Sequence, residues 1–425
     1  MSTLPPLRVA VLGAGTVGGA VLRGILARPD ALASDDGAPV VLAGVADLDP
    51  DRVVRLGVPA DLVTDAPARL VASPEVDAIV ELIGGDEPAR TLVAAALGAG
   101  KPVVTANKHL VAHHGPDLEA IARRSGAAFR FEAAVGGGVP VLRPLAEDLA
   151  VDRVRRVRGI VNGTTNVILT AMGEQGRPYA EILAEAQAAG FAEADPRGDV
   201  EGDDAVNKAV ILARLAFGAW LDPAGVLRTP PTVRGHGRPG ITGVTSAEVA
   251  AARGLGLAIK LLAVAEPGPL PGSVAVHVLP TAVPRDSALG ATAGVLNRVE
   301  IAGEPVGAVA FSGPGAGGDA TSSAVLADIR AIARGAGSTW AGLPAARSAP
   351  SPEGADGPLG GARAWFAFVP GAGAGGLELG PGAAVGEPEG GLAIRTGPLT
   401  LAAVRAAILP VLPAGLDATL YPVAE

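Results

Sequence analysis

Along the first third of the chain, short apolar runs alternate with longer segments whose apolar residues recur at helical spacing. Val9–Leu12, Val40–Val45, Ala78–Ile83, Val103–Thr105 and Phe129–Ala133 are nearly all apolar, as strands buried on both faces are. Between them, Thr16–Arg28, Pro88–Gly100 and Asp117–Ser125 repeat apolar residues every three or four positions and predict helices. Strands alternating with helices predict an α/β fold, a doubly wound parallel sheet with helices on both faces.

The pattern changes after Gly136. Asp152–Val161 and Val274–Leu279 read as strands, Tyr179–Ala189 and Asp204–Ala219 as helices, and Asn162-Gly-Thr-Thr-Asn166 as a helix entrance with polar caps. This mixture predicts a second, α+β domain over residues 136–305. Phe311–Ala333 returns to strand, glycine loop and helix, so the chain is expected to rejoin the first domain (residues 1–135) at about 306–340. Between 341 and 400, 23 of 60 residues are Gly or Pro, which predicts that 341–425 is a linker followed by a poorly formed module. Thr400–Leu412 in it reads as a helix and Ala418–Val423 as a strand.

Composition removes several chemistries. The 425 residues include no cysteine, which excludes disulfides, thiolate metal ligation and a cysteine nucleophile. A net charge of −9 argues against nucleic acid as a partner. The first residues lack a signal-peptide layout, and the most apolar stretch, Ala209–Leu221, is short and broken by Arg214. A soluble, cytoplasmic protein without membrane association is expected. Only four of the 34 basic residues are lysine: Lys101, Lys108, Lys208 and Lys260. Where arginine has replaced nearly every lysine, a retained one is a candidate for proton transfer, because arginine stays protonated.

Gly13-Ala14-Gly15-Thr16-Val17-Gly18 follows the first strand and opens the first helix. The first glycine permits a tight turn, the second lets the backbone approach a pyrophosphate, and the third allows close packing of helix on strand. An ordinary strand–helix turn is the plainer alternative, but the position directly after an apolar strand favours dinucleotide binding and a Rossmann-type domain. Asp47, at the end of the second strand, suits the ribose hydroxyls. It lies 29 residues beyond Gly18, longer than the usual ~20, and the Pro29–Pro39 loop accounts for the excess. An acid there favours NAD by repelling a 2′-phosphate, which Arg52 and Arg55 partly offset.

Two lysines fall in motifs that suit redox chemistry. Thr105-Ala-Asn107-Lys108 follows the end of a strand, where open parallel sheets bind ligands. Glu193, Asp195, Asp199, Asp203 and Asp204 lead to Lys208. Asp204 and Lys208 are four apart and share a helix face. The bland reading is a solvated surface pair; yet the helix continues into apolar Ala209–Ala213, so the pair is expected to be partly buried. A carboxylate there would keep the lysine charged, oriented and ready to give a proton to a carbonyl oxygen. His113 and His114 are adjacent, so they do not share a helix face and predict no metal site. Arg153, Arg155, Arg156 and Arg158 read as the solvated side of a strand.

Taken together, these residues resemble homoserine dehydrogenase across positions 8–335. The resemblance rests on Gly13–Gly18, Gly84-Gly85 before Pro88-Ala89, Gly100–Lys108, Phe131–Pro140, Gly159–Asn166, the stretch from Gly190 to Lys208, and Gly313–Ala320. It implies NAD(P)-dependent interconversion of aspartate 4-semialdehyde and homoserine in threonine and methionine biosynthesis. It implies Lys208 as the proton donor, with Lys108 assisting at the nicotinamide. Glu193 would bind the substrate ammonium, with Asp204 contributing and Asp199 in support. Gly315 and Gly317 would close over the cofactor. Glu132, with the backbone of Val135, Gly137 and Val139, matches a monovalent-cation site, taken as sodium. A catalytic and dimerisation domain, and hence a homodimer, is also implied. Ala46 stands where many members carry an arginine suited to NADP, which again favours NAD. In members of this length a C-terminal ACT domain is common, and residues 361–425 would be a degenerate ACT-like remnant, with Arg363–Val369 as a strand and Leu401–Leu412 as a helix. Its usual Pro-Gly-Val-Leu turn is missing, so threonine control is not implied. The competing readings are a non-catalytic dinucleotide sensor and a dehydrogenase of a related amino or hydroxy acid. The sensor predicts loss of Lys108, Glu193, Asp204 or Lys208, and all four are present.

Overall fold

The computed structural model describes residues 4–27, 32, 37–348, 357–373, 375, 377 and 379–424. The chain forms two compact units: Met1–Arg153 with Arg214–Asp222 and Phe311–Arg347, and Val154–Ala213 with Pro223–Ala310 and Ser348–Glu425.

In the first unit six strands form one parallel sheet: β1 (Leu7–Leu12), β2 (Val40–Ala46), β3 (Val63–Thr64), β4 (Ala78–Glu81), β5 (Val103–Thr105) and β6 (Phe129–Arg130), in the order β3-β2-β1-β4-β5-β6. This is the doubly wound order, with β1 and β4 at the point where the winding reverses. Val9, Val11, Val80 and Val104 lie in a core sealed by Val21, Leu22 and Ile25 of the Thr16–Ala27 helix and by Val325 and Ile329 of the Gly318–Ala333 helix. The return of the chain at 311–347 therefore completes the first core.

Two expected elements differ. The helix expected at Asp117–Ser125 begins at Lys108, with Pro116 inside it. Asn107 caps it by accepting the Leu110 amide at 3.0 Å, and Gly126 ends it at φ 75°. Gly115, beside the proline, is required for packing: a Cβ there would lie 2.6 Å from the Trp220 ring. The fifth expected strand stops at Arg130, because Glu132–Ala134 turns into a short 3-10 helix. Most of the Pro29–Pro39 loop lies outside the described residues. Arg214, which interrupts the apolar run, is fully buried and pairs with Glu119 at 2.6 Å.

The second unit is built on a five-stranded sheet: β7 (Arg153–Ile160), β8 (Leu257–Pro267), β9 (Val274–Pro284), β10 (Leu296–Glu304) and β11 (Gly307–Pro314), in the order β9-β8-β7-β10-β11. The long antiparallel β8–β9 pair forms one side of it, with β9 at the edge. The arginines of β7 are not simply solvated, as was expected of them. Arg155 pairs with Glu304 at 2.8 Å and Arg158 with Glu300 at 3.0 Å, because β10 sets acids opposite them.

The C-terminal region is also better ordered than its Gly and Pro content predicts. Strands β12 (Trp365–Pro370), β13 (Ala384–Gly386), β14 (Gly391–Arg395) and β15 (Leu420–Pro422) form an antiparallel sheet in the order β13-β14-β12-β15, with the Leu401–Ile408 helix. Trp365, Val369, Ile394, Val404 and Leu420 share a core with Val233 and Leu279, so this region belongs to the second unit. The rest of the expected linker, 349–356, lies outside the described residues. Among the described residues, no helix is long and apolar enough to cross a membrane.

Candidate active site

The glycine loop leaves β1 and enters the first helix as its spacing predicts. Gly13 has φ 96°, and a Cβ there would lie 2.6 Å from the Leu82 carbonyl oxygen. A Cβ on Gly18 would lie 2.0 Å from the Gly13 carbonyl oxygen, so only glycine lets the helix sit this close. Around Gly15 the space is open, as the approach of a phosphate requires. A cavity of about 330 Å³ opens beside this loop, lined by Gly13, Gly15, Ala46, Asp47 and Arg52, among others.

Asp47 stands at its edge. Oδ2 accepts the Ala14 amide at 2.6 Å, and Oδ1 accepts the Asp49 amide at 2.9 Å and an Arg52 Nη2 donor at 2.6 Å. Partial burial pushes the Asp47 carboxyl up, but the Asp49 and Ala14 amides and the Arg52 guanidinium outweigh it and hold it below the usual carboxylate range. Asp47 thus ties the glycine loop to the end of β2 as a fixed anion.

The second glycine loop packs in the same unit. Gly137, at φ 57°, comes so close to Gly315 that a Cβ would meet its carbonyl carbon at 2.7 Å, and a Cβ on Gly318 would lie 2.9 Å from the Thr16 carbonyl oxygen. Gly317, at φ 106°, opens the following helix. Glu132 is buried, and its carboxylate accepts the amides of Val141, Leu142 and Arg143 at 2.8–2.9 Å. Burial, followed by the Asp328 charge, pushes its carboxyl above the ordinary value in spite of these amides. In the same turn the Glu132 and Gly136 carbonyls accept the Val135 and Val139 amides at 3.4 and 2.9 Å. Among the described residues no group of three or more His, Asp or Glu side chains could hold a metal ion.

Lys108 is the first residue of its helix and half-buried. A buried Glu81 organises the approach to it. Glu81 accepts the Ile83 and Gly84 amides at 2.8 and 2.9 Å and the Thr105 hydroxyl at 2.6 Å. Thr105 Oγ1 in turn accepts the Asn107 amide, and Asn107 Nδ2 donates to the Gly85 carbonyl at 2.8 Å. The segments Gly84-Gly85 and Thr105–Lys108, about 20 residues apart, thereby become one surface. Lys101 is structural, donating to the carbonyls of Val71 and Ser73 at 2.7 and 2.6 Å. His109 stacks on His113, while His114 contacts Asp86.

The second unit holds the other lysine. Lys208 is 7 % exposed; Nζ donates to Asp204 Oδ2 at 2.7 Å and to the Val161 carbonyl, the end of β7's run, at 2.6 Å. The predicted i, i+4 pair therefore forms, with Lys208 buried and Asp204 partly so. Asn162 completes it. Its Nδ2 donates to Asp204 Oδ2 at 2.9 Å and to Asp199 Oδ1 at 2.7 Å, while its Oδ1 caps the next helix through the Thr165 amide. Lys208, Asp204 and Asp199 are thus brought together, and the residue that joins them is Asn162, which the sequence marks only as a helix cap. Glu81 is the other residue that sequence reasoning passes over. Glu193 is exposed on its loop, where its main-chain carbonyl, not its carboxylate, accepts from Gln187 at 2.9 Å.

The chain is similar to known proteins along most of its length. Residues 13–132 match the family model of the homoserine dehydrogenase NAD-binding domain, and residues 140–330 that of homoserine dehydrogenase. It is 46% identical to homoserine dehydrogenase of Mycobacterium tuberculosis strain H37Rv over 77% of this chain and 73% of that one. To the Bacillus subtilis strain 168 enzyme it is 40% identical, over 77% and 72%. The crystal structure of a homoserine dehydrogenase from Thiobacillus denitrificans superposes at a TM-score of 0.85 with 31% identity, covering 100% of both chains. A hyperthermophilic archaeal homoserine dehydrogenase in complex with NADPH gives a TM-score of 0.64 at 26% identity, over 80% of this chain and 100% of that one. With a nucleotide cleft in one unit and a carboxylate-paired lysine in the other, the chain belongs to the homoserine dehydrogenases, nicotinamide-dinucleotide-dependent oxidoreductases of amino-acid biosynthesis that act on a CH–OH group.

Proposed function

We propose that Lys208 is the proton donor in the reduction of aspartate 4-semialdehyde to homoserine, and the acceptor in reverse. The observation that carries this is the partly buried cluster in which one lysine, two carboxylates and Asn162 share hydrogen bonds. When bound, the dinucleotide supplies or removes hydride at the carbonyl carbon. The Lys208 ammonium gives its proton to the carbonyl oxygen; Asp204 compensates its charge before transfer and orients the amine left afterwards. Glu193, exposed and with its carboxylate free of hydrogen bonds among the described residues, binds the substrate ammonium. Asp204 adds to that field, and Asp199 supports it through Asn162. Lys108, at the head of its helix, assists at the nicotinamide and substrate.

Gly13–Gly18, Asp47, Gly315 and Gly317 hold the dinucleotide, and NAD is the favoured form. Asp47 is kept ionised, and its ion pair with Arg52 occupies the cation best placed to receive a 2′-phosphate. A sodium ion would be held by Glu132 with the backbone of Val135, Gly137 and Val139. The protein acts as a cytoplasmic homodimer.

Homoserine-dependent formation of reduced nicotinamide, followed by absorbance with NAD and NADP in turn, tests the reading. Activity with homoserine and a preference for NAD are expected, and Asp47→Ser should weaken NAD by roughly tenfold, the scale of one hydrogen bond to a charged group. No turnover with homoserine would end the proposal; an Asp47→Ser variant with unchanged NAD affinity would end the assignment of Asp47.

A further inference from the structure

Lys260, on β8, is 3 % exposed and has all three ammonium donors in use: to Asn166 Oδ1 at 2.9 Å, Thr170 Oγ1 at 3.0 Å and the Thr292 carbonyl at 2.7 Å. All three acceptors are neutral. Among the described residues it forms no ion pair, and burial pushes its pKa down to about 8. The charge of Glu174 acts on it through space and only partly offsets the effect of burial.

This lysine lines a cavity of about 250 Å³ between the Gly163–Gln175 and Ser246–Gly254 helices and β8. Two further cations line it. Arg253 is fixed by a hydrogen bond from Nη1 to the Gly173 carbonyl at 2.7 Å, and Arg285 stands at the turn after β9. Neither makes an ion pair among the described residues. Glu174 is the one carboxylate in the lining, so cations outnumber it three to one. The remaining wall is apolar or small, including Leu169, Val249 and Ala291.

We infer that this cavity binds a small organic anion bearing a carboxylate or phosphate group. The oxyanion is received by Arg253 and Arg285, which keep guanidinium donors uncommitted to carboxylates, and the fixed charge of Lys260 deepens the potential from below. A cavity of about 250 Å³ is more than a bare ion needs and suits a few-carbon skeleton. The site is independent of the Lys208 cluster and does not rest on the residue roles proposed above.

Calorimetric titration of the full-length protein distinguishes the two sources of oxyanion. With the dinucleotide at saturation, so that the glycine loop is occupied, inorganic phosphate and succinate are titrated separately. One probe is expected to bind once per chain, and the tighter one identifies phosphate or carboxylate as the recognised group. The double variant Arg253→Gln/Arg285→Gln, which alters exposed side chains and leaves Lys260 in place, should weaken that binding by roughly tenfold or more. Glu174→Gln removes the opposing charge and should tighten it by about twofold. A parent protein that takes up neither probe overturns the inference. So does a double variant that binds as the parent does, or a Glu174→Gln protein that binds more weakly than the parent.

Discussion

Lys208 and Lys260 are both buried ammonium groups of the second unit, and they are held in opposite ways. Lys208 has a carboxylate at 2.7 Å, itself braced by Asn162, and one main-chain carbonyl. Lys260 has three neutral oxygens and no carboxylate partner among the described residues. The first arrangement keeps Lys208 charged and oriented, which the proposed proton donation uses, because the partner anion stabilises the cation. The second makes a cation solvated by protein dipoles, which braces the Gly163–Gln175 helix against β8 and whose charge Glu174 offsets only in part. Burial alone therefore does not decide what a lysine can do; the charges around it do.

The largest effect is expected where that difference is chemical. Lys208→Ala should lower turnover by about 10²–10⁴-fold, the usual worth of a positioned acid–base group, with dinucleotide affinity nearly intact. Lys208→Arg keeps the charge but not proton exchange and should be almost as poor. Turnover within several-fold of the parent in steady-state assays would remove Lys208 from the reaction.

The next effect concerns Lys260 and stability. Its folded pKa of about 8 lies below the ordinary 10.5. Between those values the unfolded chain holds a proton that the folded chain has released, so stability rises with pH through that window. The parent, relative to Lys260→Met, should therefore gain roughly 3 kcal/mol from below pH 8 to above 10.5. Denaturant titration in low-anion buffer measures it. A flat difference would mean that the charge of Glu174 offsets the effect of burial in full.

Smaller changes sharpen the comparison further. Asn162→Ala loosens Asp204 and Asp199 and removes a helix cap. A fall of about tenfold in kcat/KM is expected, with about 1 kcal/mol of stability lost. Equal stability loss with unchanged kcat/KM would make Asn162 a cap and nothing more. Thr170→Val, which removes one of the three dipoles at Lys260, should cost about 1 kcal/mol in thermal denaturation and leave kcat alone.

The parallel sheet and its glycine loop were legible because their signals are local: apolar runs, a glycine spacing, and a strand leading into a helix. Asp204 and Lys208 were legible for the same reason, since four residues make one helical turn. Scarcity drew attention to the lysines but could not sort them. Lys101 ended on two carbonyls of the first unit, as structural as any arginine. The start of the Lys108 helix was hidden by Gly115-Pro116, which reads as a break until Trp220 is seen against the glycine. The C-terminal sheet was hidden by its glycines and prolines, because its apolar residues are few and find their core partly in Val233 and Leu279.

By itself, then, the amino-acid sequence determined where strands and helices alternate, where phosphates can meet a helix start, and which carboxylate shares a helix face with Lys208. These depend on neighbours within a turn or a loop. Only the tertiary structure decided that Lys208 reaches the Val161 carbonyl 47 residues away, that Asn162 binds two acids at once, and that three neutral oxygens hold Lys260. A buried charge takes its character from groups that long-range packing sets around it, and no local period encodes those groups.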